Sequence, residues 1–214
     1  MDIKRTANAG VLLRLDGIKI LLDGVCREVA PYPATPPEIR RVLLQDPPDV
    51  LVYTHKHDDH YDAAFVSDYL QKTAGPVLGP ADIPFCSPES LRLADVTITP
   101  VDSNHMGKTE PMGHRSYIIQ GSKCIWFMGD ASPLHWLERT DLPRPDVLIA
   151  PYGFVIGHGW DITRKLEPGA VVLVHLPPRK ADIYGLWDAV EQTTAHQSHP
   201  VVLIPGIGET VRWL

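Results

Sequence analysis

The chain has 214 residues, a net charge of −6 and a pI near 5.9, and 44% of its residues are hydrophobic. This length is sufficient for a buried core, so we predict a single domain over residues 1–214. Binding to nucleic acid is disfavoured, because phosphate recognition needs a clustered basic surface and the sequence shows none. No apolar run approaches the roughly 20 residues of a membrane helix.

The three cysteines, Cys26, Cys86 and Cys124, are widely spaced and form no CxxC pair. A disulfide framework or a thiolate zinc site is therefore disfavoured, which fits a reducing compartment. The first residues, MDIKRTANAG, lack the apolar segment of a signal peptide. We therefore expect a cytoplasmic protein that has neither a membrane nor a nucleic acid as its partner.

The N-terminal half is predicted to begin with strands. Residues 11–15 and 18–22 flank Asp16-Gly17, which is a strong hairpin signal. A helix over residues 38–45 follows the proline-rich segment PYPATPP, and Thr35 is the candidate for its N-cap. The other elements predicted in this half are a helix over residues 62–72 and strands over residues 50–53, 77–78 and 96–101.

The C-terminal half starts with a predicted hairpin, formed by residues 116–120 and 123–128 around Gly121-Ser122. Short apolar runs of the type found in fully buried strands follow at residues 147–150, 171–174 and 201–204. Helices are predicted between and before them, over residues 133–139, 160–166 and 182–196. Hairpins followed by alternating strands and helices predict an α+β fold in which two packed sheets carry helices outside.

The most informative segment is THKHDDHYD, which follows the predicted strand at residues 50–53. It places His55, His57, Asp59 and His60 in one short loop. Imidazole nitrogens and carboxylate oxygens are ligands that suit zinc, manganese or iron. This combination is rarely produced by composition alone, so it favours a metal site over a solvated polar turn.

Three later strands also end in residues that can bind a metal. His105 follows residues 96–101, Asp130 follows residues 123–128, and His175 follows residues 171–174 directly. Strand ends on one edge of a sheet converge, so we predict that these loops meet at one site. The alternatives are that Asp130 is a turn residue or the N-cap of the following short helix, and that His175 is an ordinary strand-end histidine.

In chain order, these motifs resemble those of the metallo-β-lactamase-fold hydrolases. THKHDDHYD is similar to their HxHxDH signature, FMGDAS to their later Gly-Asp motif, and VLVHLPP to their last strand-end histidine. The hairpin AGVLLRLDGIKILLDG also resembles the one that opens these domains. The resemblance implies an αβ/βα four-layer sandwich with a two-metal site between the sheets. It is strongest to the small lactonase-like branch that includes L-ascorbate-6-phosphate lactonase.

The resemblance also implies two divalent cations, with zinc as the first choice and manganese or iron as alternatives. The implied ligands are His55 and His57 for the first metal, Asp59, His60 and His175 for the second, and Asp130 as a bridge. The remaining ligand of the first metal matches His105 best. His114, in GHRSYII, is the alternative.

The implied activity is hydrolysis of a lactone, ester or phosphodiester by hydroxide that two cations would generate at neutral pH. Asp59 is the candidate for proton transfer to the leaving group, and Asp23 for orienting a ligand histidine. The candidates for substrate contact are His158, His114, Tyr152, Lys108 and Arg115. The alternatives are a metal-binding member of the fold without turnover, and a nuclease, which the acidic balance disfavours.

Overall fold

The computed structural model describes residues 1–107, 113–136, 142–195 and 199–213, and within these ranges the strands form two sheets. The strands of the first sheet are β1 (Asp2–Arg5), β2 (Val11–Leu15), β3 (Ile18–Leu22), β4 (Val50–Val52), β5 (Val77–Leu78) and β13 (Thr210–Arg212). The strands of the second sheet are β6 (Leu91–Leu93), β7 (Val96–Asp102), β8 (Arg115–Gln120), β9 (Cys124–Phe127), β10 (Val147–Pro151), β11 (Ala170–Val174) and β12 (Val201–Leu203).

The helices lie in the connections between strands. The α-helices are α1 (Pro37–Gln45), α2 (Ala63–Lys72), α3 (Gly157–Leu166) and α4 (Leu186–Thr194). Shorter 3₁₀-helices are formed by Pro133–Trp136, Tyr152–Phe154 and Arg179–Ala181. Each α-helix of the described chain is too short or too polar to cross a lipid bilayer.

Both sheets combine antiparallel hairpins with parallel strands. The first has the order β13-β1-β2-β3-β4-β5, and β3, β4 and β5 run parallel. The second has the order β12-β11-β10-β9-β8-β7-β6, and β9 to β12 run parallel. Parallel strands bring their carboxyl ends to the same edge of a sheet, and the residues that follow β4, β9 and β11 are those predicted to bind metal.

The two-residue period of the strands separates two faces of each sheet. In β2, Leu13 belongs to the core between the sheets, while Leu12 belongs to the cluster under α1 and α2. In the second sheet, Phe127 of β9 faces the inner core and Trp126 packs with residues of α3 and α4. The layers are therefore helix, sheet, sheet and helix, which confirms the predicted α+β sandwich.

The elements mostly match the prediction, with shifted ends. The helix predicted over residues 182–196 begins at Leu186, because the carboxylate of Asp182 accepts hydrogen bonds from the backbone N–H groups of Leu186 and Trp187. The short helix predicted over residues 133–139 is a 3₁₀-helix to Trp136, and residues 137–139 lie outside the described ranges. The prediction for Thr35 is wrong: its hydroxyl accepts from the Cys26 backbone N–H, and Pro36 is the N-cap.

Candidate metal centre

Histidine and aspartate side chains from both sheets meet where the predicted strands end. In the described part of the chain, three groups have ligand atoms within 4.8 Å of one another and could hold a metal ion. The groups are His55, His57 and His105; His55, His60 and Asp130; and Asp59, His60 and His175. Together they contain all seven residues to which the sequence assigned a metal, and the shared members join them into one cluster.

The first group is formed by the loop after β4 and by the segment after β7. Nε2 of His55 lies 2.9 Å from Nδ1 of His57, and the ring of His105 lies about equally far from both. The ring centroids of His55 and His105 are 4.9 Å apart, and those of His57 and His105 are 5.0 Å apart. Three imidazole nitrogens thus lie within 4.8 Å of one another, and three histidines are the donor set of some catalytic zinc sites.

Asp130 stands at the centre of the cluster. Its Oδ2 lies 3.3 Å from Nε2 of His60 and 3.5 Å from Nε2 of His105, and its Oδ1 lies 3.3 Å from Nε2 of His175. Oδ2 of Asp59 lies 3.3 Å from the same nitrogen of His175. The carboxylate of Asp130 therefore faces His105 on the side of the first metal and His60 and His175 on the side of the second, as a bridging ligand requires.

Four donor atoms of the cluster lack the hydrogen bonds that buried polar atoms normally make. Nε2 of His60, His105 and His175 and Oδ1 of Asp130 are buried without a hydrogen-bond partner. Their separations of 3.3 and 3.5 Å from the neighbouring charged atoms are too long or badly aligned for good hydrogen bonds. Divalent cations would satisfy these atoms, so the residues fit the metals that the sequence predicts.

The far side of two imidazoles is fixed by Asp23, which follows β3 and is fully buried. Its Oδ2 accepts from Nδ1 of His60 at 2.8 Å and from the hydroxyl of Thr54 at 2.6 Å. The Thr54 hydroxyl in turn lies 2.9 Å from Nδ1 of His55, which donates to it. With the proton on Nδ1, the lone pair of Nε2 is directed into the cluster, so Asp23 has the orienting position that the sequence predicted.

The carboxylates of the cluster favour positive charge on the neighbouring histidines. Burial opposes protonation of His175, but the carboxylates of Asp130 and Asp59 outweigh it and raise its pKa to about 9. The pKa of His60 is raised well above its ordinary value because Asp130 and Asp23 likewise outweigh burial. Burial alone would raise the pKa of Asp130, yet His175 and His60 hold it well below its usual range. The site therefore attracts positive charge.

The candidates for substrate contact have different positions. Tyr152 follows β10 directly, and burial and the charge of Asp130 raise its pKa. His158 does not join the cluster: its side chain is 98% exposed, and Asp161 of the same helix is its ionic neighbour. Arg115 forms an ion pair with Asp102 at 2.9 Å, and Lys108 lies outside the described residues.

His114 corrects the sequence-based expectation of substrate contact, because the residue is only 2% exposed. Its Nε2 accepts from the backbone N–H of Asp130 at 3.0 Å, and its Nδ1 lies 2.8 Å from the hydroxyl of Ser103. Both ring nitrogens thus have protein partners. The geometry therefore favours His105, whose Nδ1 donates to the Met106 carbonyl at 2.7 Å and leaves Nε2 free for a metal.

Tyr32 is a residue at this site that the sequence did not indicate. Its ring meets the ring of His175 edge to face, with centroids 4.6 Å apart. Burial, together with the charges of Tyr152, Asp130 and Asp59, raises the pKa of its hydroxyl, which therefore stays protonated. Reciprocal backbone hydrogen bonds between Val29 and Tyr32 hold its loop. No local pattern marks this position, because its significance depends on contact with a distant strand.

The fold is shared with known proteins. A family model described as the beta-lactamase superfamily domain matches residues 2–178. No curated protein sequence matches the chain. Among solved structures, the chain is similar to Igni18, a metallo hydrolase from the archaeon Ignicoccus hospitalis, with 20% identity and a TM-score of 0.67 over 98% of this chain and 97% of that one.

Two further solved structures with the same fold carry names of different activities. The isothiocyanate hydrolase from Delia radicum gut bacteria is 18% identical, with a TM-score of 0.64 over 100% of this chain and 99% of that one. The diiron β-hydroxylase CmlA from Streptomyces venezuelae is 15% identical, with a TM-score of 0.64 over 99% of this chain but only 54% of that one. At such low identities these similarities establish the fold and not the reaction.

Proposed function

The chain belongs to the beta-lactamase superfamily, and on that premise we propose that it is a metal-dependent hydrolase of a small-molecule lactone, ester or phosphodiester. The observation that carries the proposal is the set of buried donor atoms at the meeting point of the two sheets. Nε2 of His60, His105 and His175 and Oδ1 of Asp130 all lack partners there. A merely structural cluster of buried polar atoms would be hydrogen-bonded.

The proposed cofactors are two divalent cations. The first would be held by His55, His57 and His105, and the second by Asp59, His60 and His175, with Asp130 shared between them. Zinc is the first choice because histidine and carboxylate ligands suit it, and manganese and iron remain alternatives for the same ligands. The diiron centre named for CmlA supports keeping iron among them.

When bound, the two cations supply hydroxide at neutral pH and polarise the oxygen of the substrate. The protein's own contribution is to fix their ligands and to handle the proton of the leaving group. Asp59 has a lowered pKa, because His175 and His60 outweigh its burial, and so it is a carboxylate that can receive a proton. The hydroxyls of Tyr32 and Tyr152 stay protonated, because burial and the charge of Asp130 raise their pKa values, and in this proposal they would donate to a substrate oxygen.

Lactones are among the proposed substrate classes because the motifs resemble those of the lactonase-like branch. Nucleic acid is a poor candidate for a chain with a net charge of −6. A cytoplasmic setting is part of the same proposal and is supported by three cysteines that are all free thiols.

The test begins with protein that a chelator has freed of metal and that is then loaded with zinc, manganese or iron(II). Metal content and hydrolysis of γ-butyrolactone, p-nitrophenyl acetate and bis(p-nitrophenyl) phosphate are measured for the wild type and for the double variant His55→Ala/His57→Ala. We expect two cations per wild-type chain, turnover of at least one substrate class, and loss of both in the variant.

Two results would contradict the proposal. Two bound cations without turnover of any substrate would indicate a metal-binding member of the fold that is not an enzyme. Hydrolysis that survives the double substitution would show that the cluster is not the catalytic centre. The variant Asp58→Asn is the matched control, because the Asp58 carboxylate is exposed and pairs with Arg27 at 3.1 Å, outside the cluster.

A further inference from the structure

We propose that His114 is a positioning residue for Asp130, and that it forms, with Ser103 and Ser116, a clamp on the Gly129-Asp130 turn. The clamp is defined by these three side chains. It rests on the proposed role of Asp130 as the shared ligand and adds a residue set that holds this carboxylate in place. None of the three clamp residues contacts a metal in this scheme.

The clamp forms hydrogen bonds with the backbone on both sides of Gly129. The backbone has a φ of 55° at Gly129, so the chain reverses sharply between β9 and the carboxylate of Asp130. On one side, the hydroxyl of Ser116 donates to the carbonyl of Met128 at 2.9 Å. On the other side, the backbone N–H of Asp130 donates to Nε2 of His114 at 3.0 Å. The polar backbone groups flanking the glycine are therefore tied to neighbouring side chains.

The clamp ends on two backbone groups, the N–H of Asp130 and the carbonyl of Met128, and these groups fix the direction of every hydrogen bond between them. A backbone N–H can only donate, so Nε2 of His114 must accept, and the neutral ring carries its proton on Nδ1. This proton is donated to the hydroxyl of Ser103 at 2.8 Å. A carbonyl can only accept, so Ser116 gives its proton to Met128 and accepts from Ser103 at 3.0 Å. One unbroken order of donors and acceptors satisfies all four side-chain contacts.

Burial makes this arrangement rigid. Ser103, His114 and Ser116 are 7%, 2% and 1% exposed, so water does not compete readily for their hydrogen bonds. The ring of His114 also lies beside the ligand cluster, with its centroid 5.1 Å from that of His55. Nε2 of His114 is thus an acceptor for the backbone N–H of Asp130, whereas Nε2 of His60 and of His105 is left free for a metal.

Loss of the clamp is expected to act through the position of Asp130. The variant His114→Phe keeps a ring of similar shape and leaves the buried N–H of Asp130 without an acceptor, which allows the turn to relax. The variant His114→Gln offers a carbonyl oxygen near the position of Nε2. Substitution of residues that orient metal ligands typically weakens metal binding by about 10- to 100-fold, and we expect this range for His114→Phe.

The first experiment measures zinc binding to metal-free protein by competition with a chromophoric chelator. We expect His114→Phe to lose about 10- to 100-fold in affinity for at least one zinc ion and His114→Gln to recover part of the loss. The control Tyr117→Phe removes another buried hydrogen bond of β8, from the Tyr117 hydroxyl to the Tyr53 carbonyl at 2.9 Å. It should lower thermal stability but leave zinc affinity unchanged.

Wild-type zinc affinity in His114→Phe, or an equal loss in His114→Phe and Tyr117→Phe, would overturn the proposal. The second experiment needs no variant: ¹⁵N NMR of the histidine rings in metal-free wild-type protein. We expect the Nδ1–H tautomer for His114, with a non-protonated Nε2, and an Nε2–H tautomer would contradict the clamp. This readout is independent of turnover, so a failed substrate panel would overturn the hydrolase proposal and leave the clamp standing.

Discussion

Replacement of Asp23 by Asn tests whether this carboxylate sets the tautomer of His60 and thereby its ability to bind a metal. The side chains have the same shape, but the amide has one acceptor where the carboxylate has two. Oδ1 of Asp23 accepts from the backbone N–H of Thr54 at 2.8 Å, so the amide oxygen must take this place. The amide nitrogen then faces Nδ1 of His60, which lies 2.8 Å from Oδ2 in the native protein.

The consequence for His60 can be worked out from the donors and acceptors. An amide nitrogen donates, so Nδ1 of His60 must accept and the ring proton moves to Nε2. This is the nitrogen that lies 3.3 Å from Oδ2 of Asp130, on the metal side. A protonated nitrogen cannot bind a cation, so restoring the ligand form costs about 1.4 to 2.7 kcal/mol, which corresponds to a 10- to 100-fold weaker second cation.

The assay is a titration of metal-free protein with zinc, in competition with a chromophoric chelator, for the wild type, Asp23→Asn and Asp58→Asn. We expect zinc binding to weaken in Asp23→Asn alone, at the second site through His60 and at the first through Thr54 and His55, because Asp58 lies on the surface beside Arg27. Wild-type values for both zinc ions in Asp23→Asn would refute the reasoning. So would an equal change in Asp58→Asn, since that would indicate a general effect of charge.

Three more predictions use other parts of the site. Asp59→Asn is expected to lose the second cation and most hydrolysis, while Asp58→Asn keeps both; metal analysis and turnover showing equal behaviour would exclude Asp59 as a ligand. Gly129→Ala places a Cβ 2.5 Å from a Thr54 methyl carbon at a φ of 55°, so we expect a loss of about 1–3 kcal/mol in the free energy of unfolding, measured with urea; an unchanged value would contradict it. Tyr32→Phe keeps the ring against His175 but removes the hydroxyl, so kcat/KM should fall about three- to tenfold with unchanged metal content, and unchanged kcat/KM would exclude a hydrogen bond to substrate.

The order of the predicted elements and the motifs was sufficient to predict the layered fold. Local sequence patterns did not predict strands β1, β6 and β13. Lys4 in β1 pairs with Thr210 in β13, at the opposite end of the chain, and neither short segment has a distinctive pattern of its own. Their strand conformation depends on pairing with each other and with β2, and such pairing is not encoded locally.

The choice between His105 and His114 shows the same limit within the site. Both histidines flank strands of one hairpin, and each fits the spacing of a metal ligand. The decision depends on which partners the ring nitrogens meet: His114 meets Ser103 and the backbone of Asp130, while His105 meets only the Met106 carbonyl on one side. Tyr32 is a similar case, since only the packed chain brings it to His175.

The sequence by itself determined the types of ligand and their grouping in THKHDDHYD, because spacing within one loop is a local property of the chain. It also predicted which strand ends carry the other ligands. Only the tertiary structure decided which ring nitrogen of His55 and of His60 faces the cluster, through Thr54 and Asp23. The physical reason is that an imidazole has two nitrogens, and a partner from a distant part of the chain selects the one left for a metal.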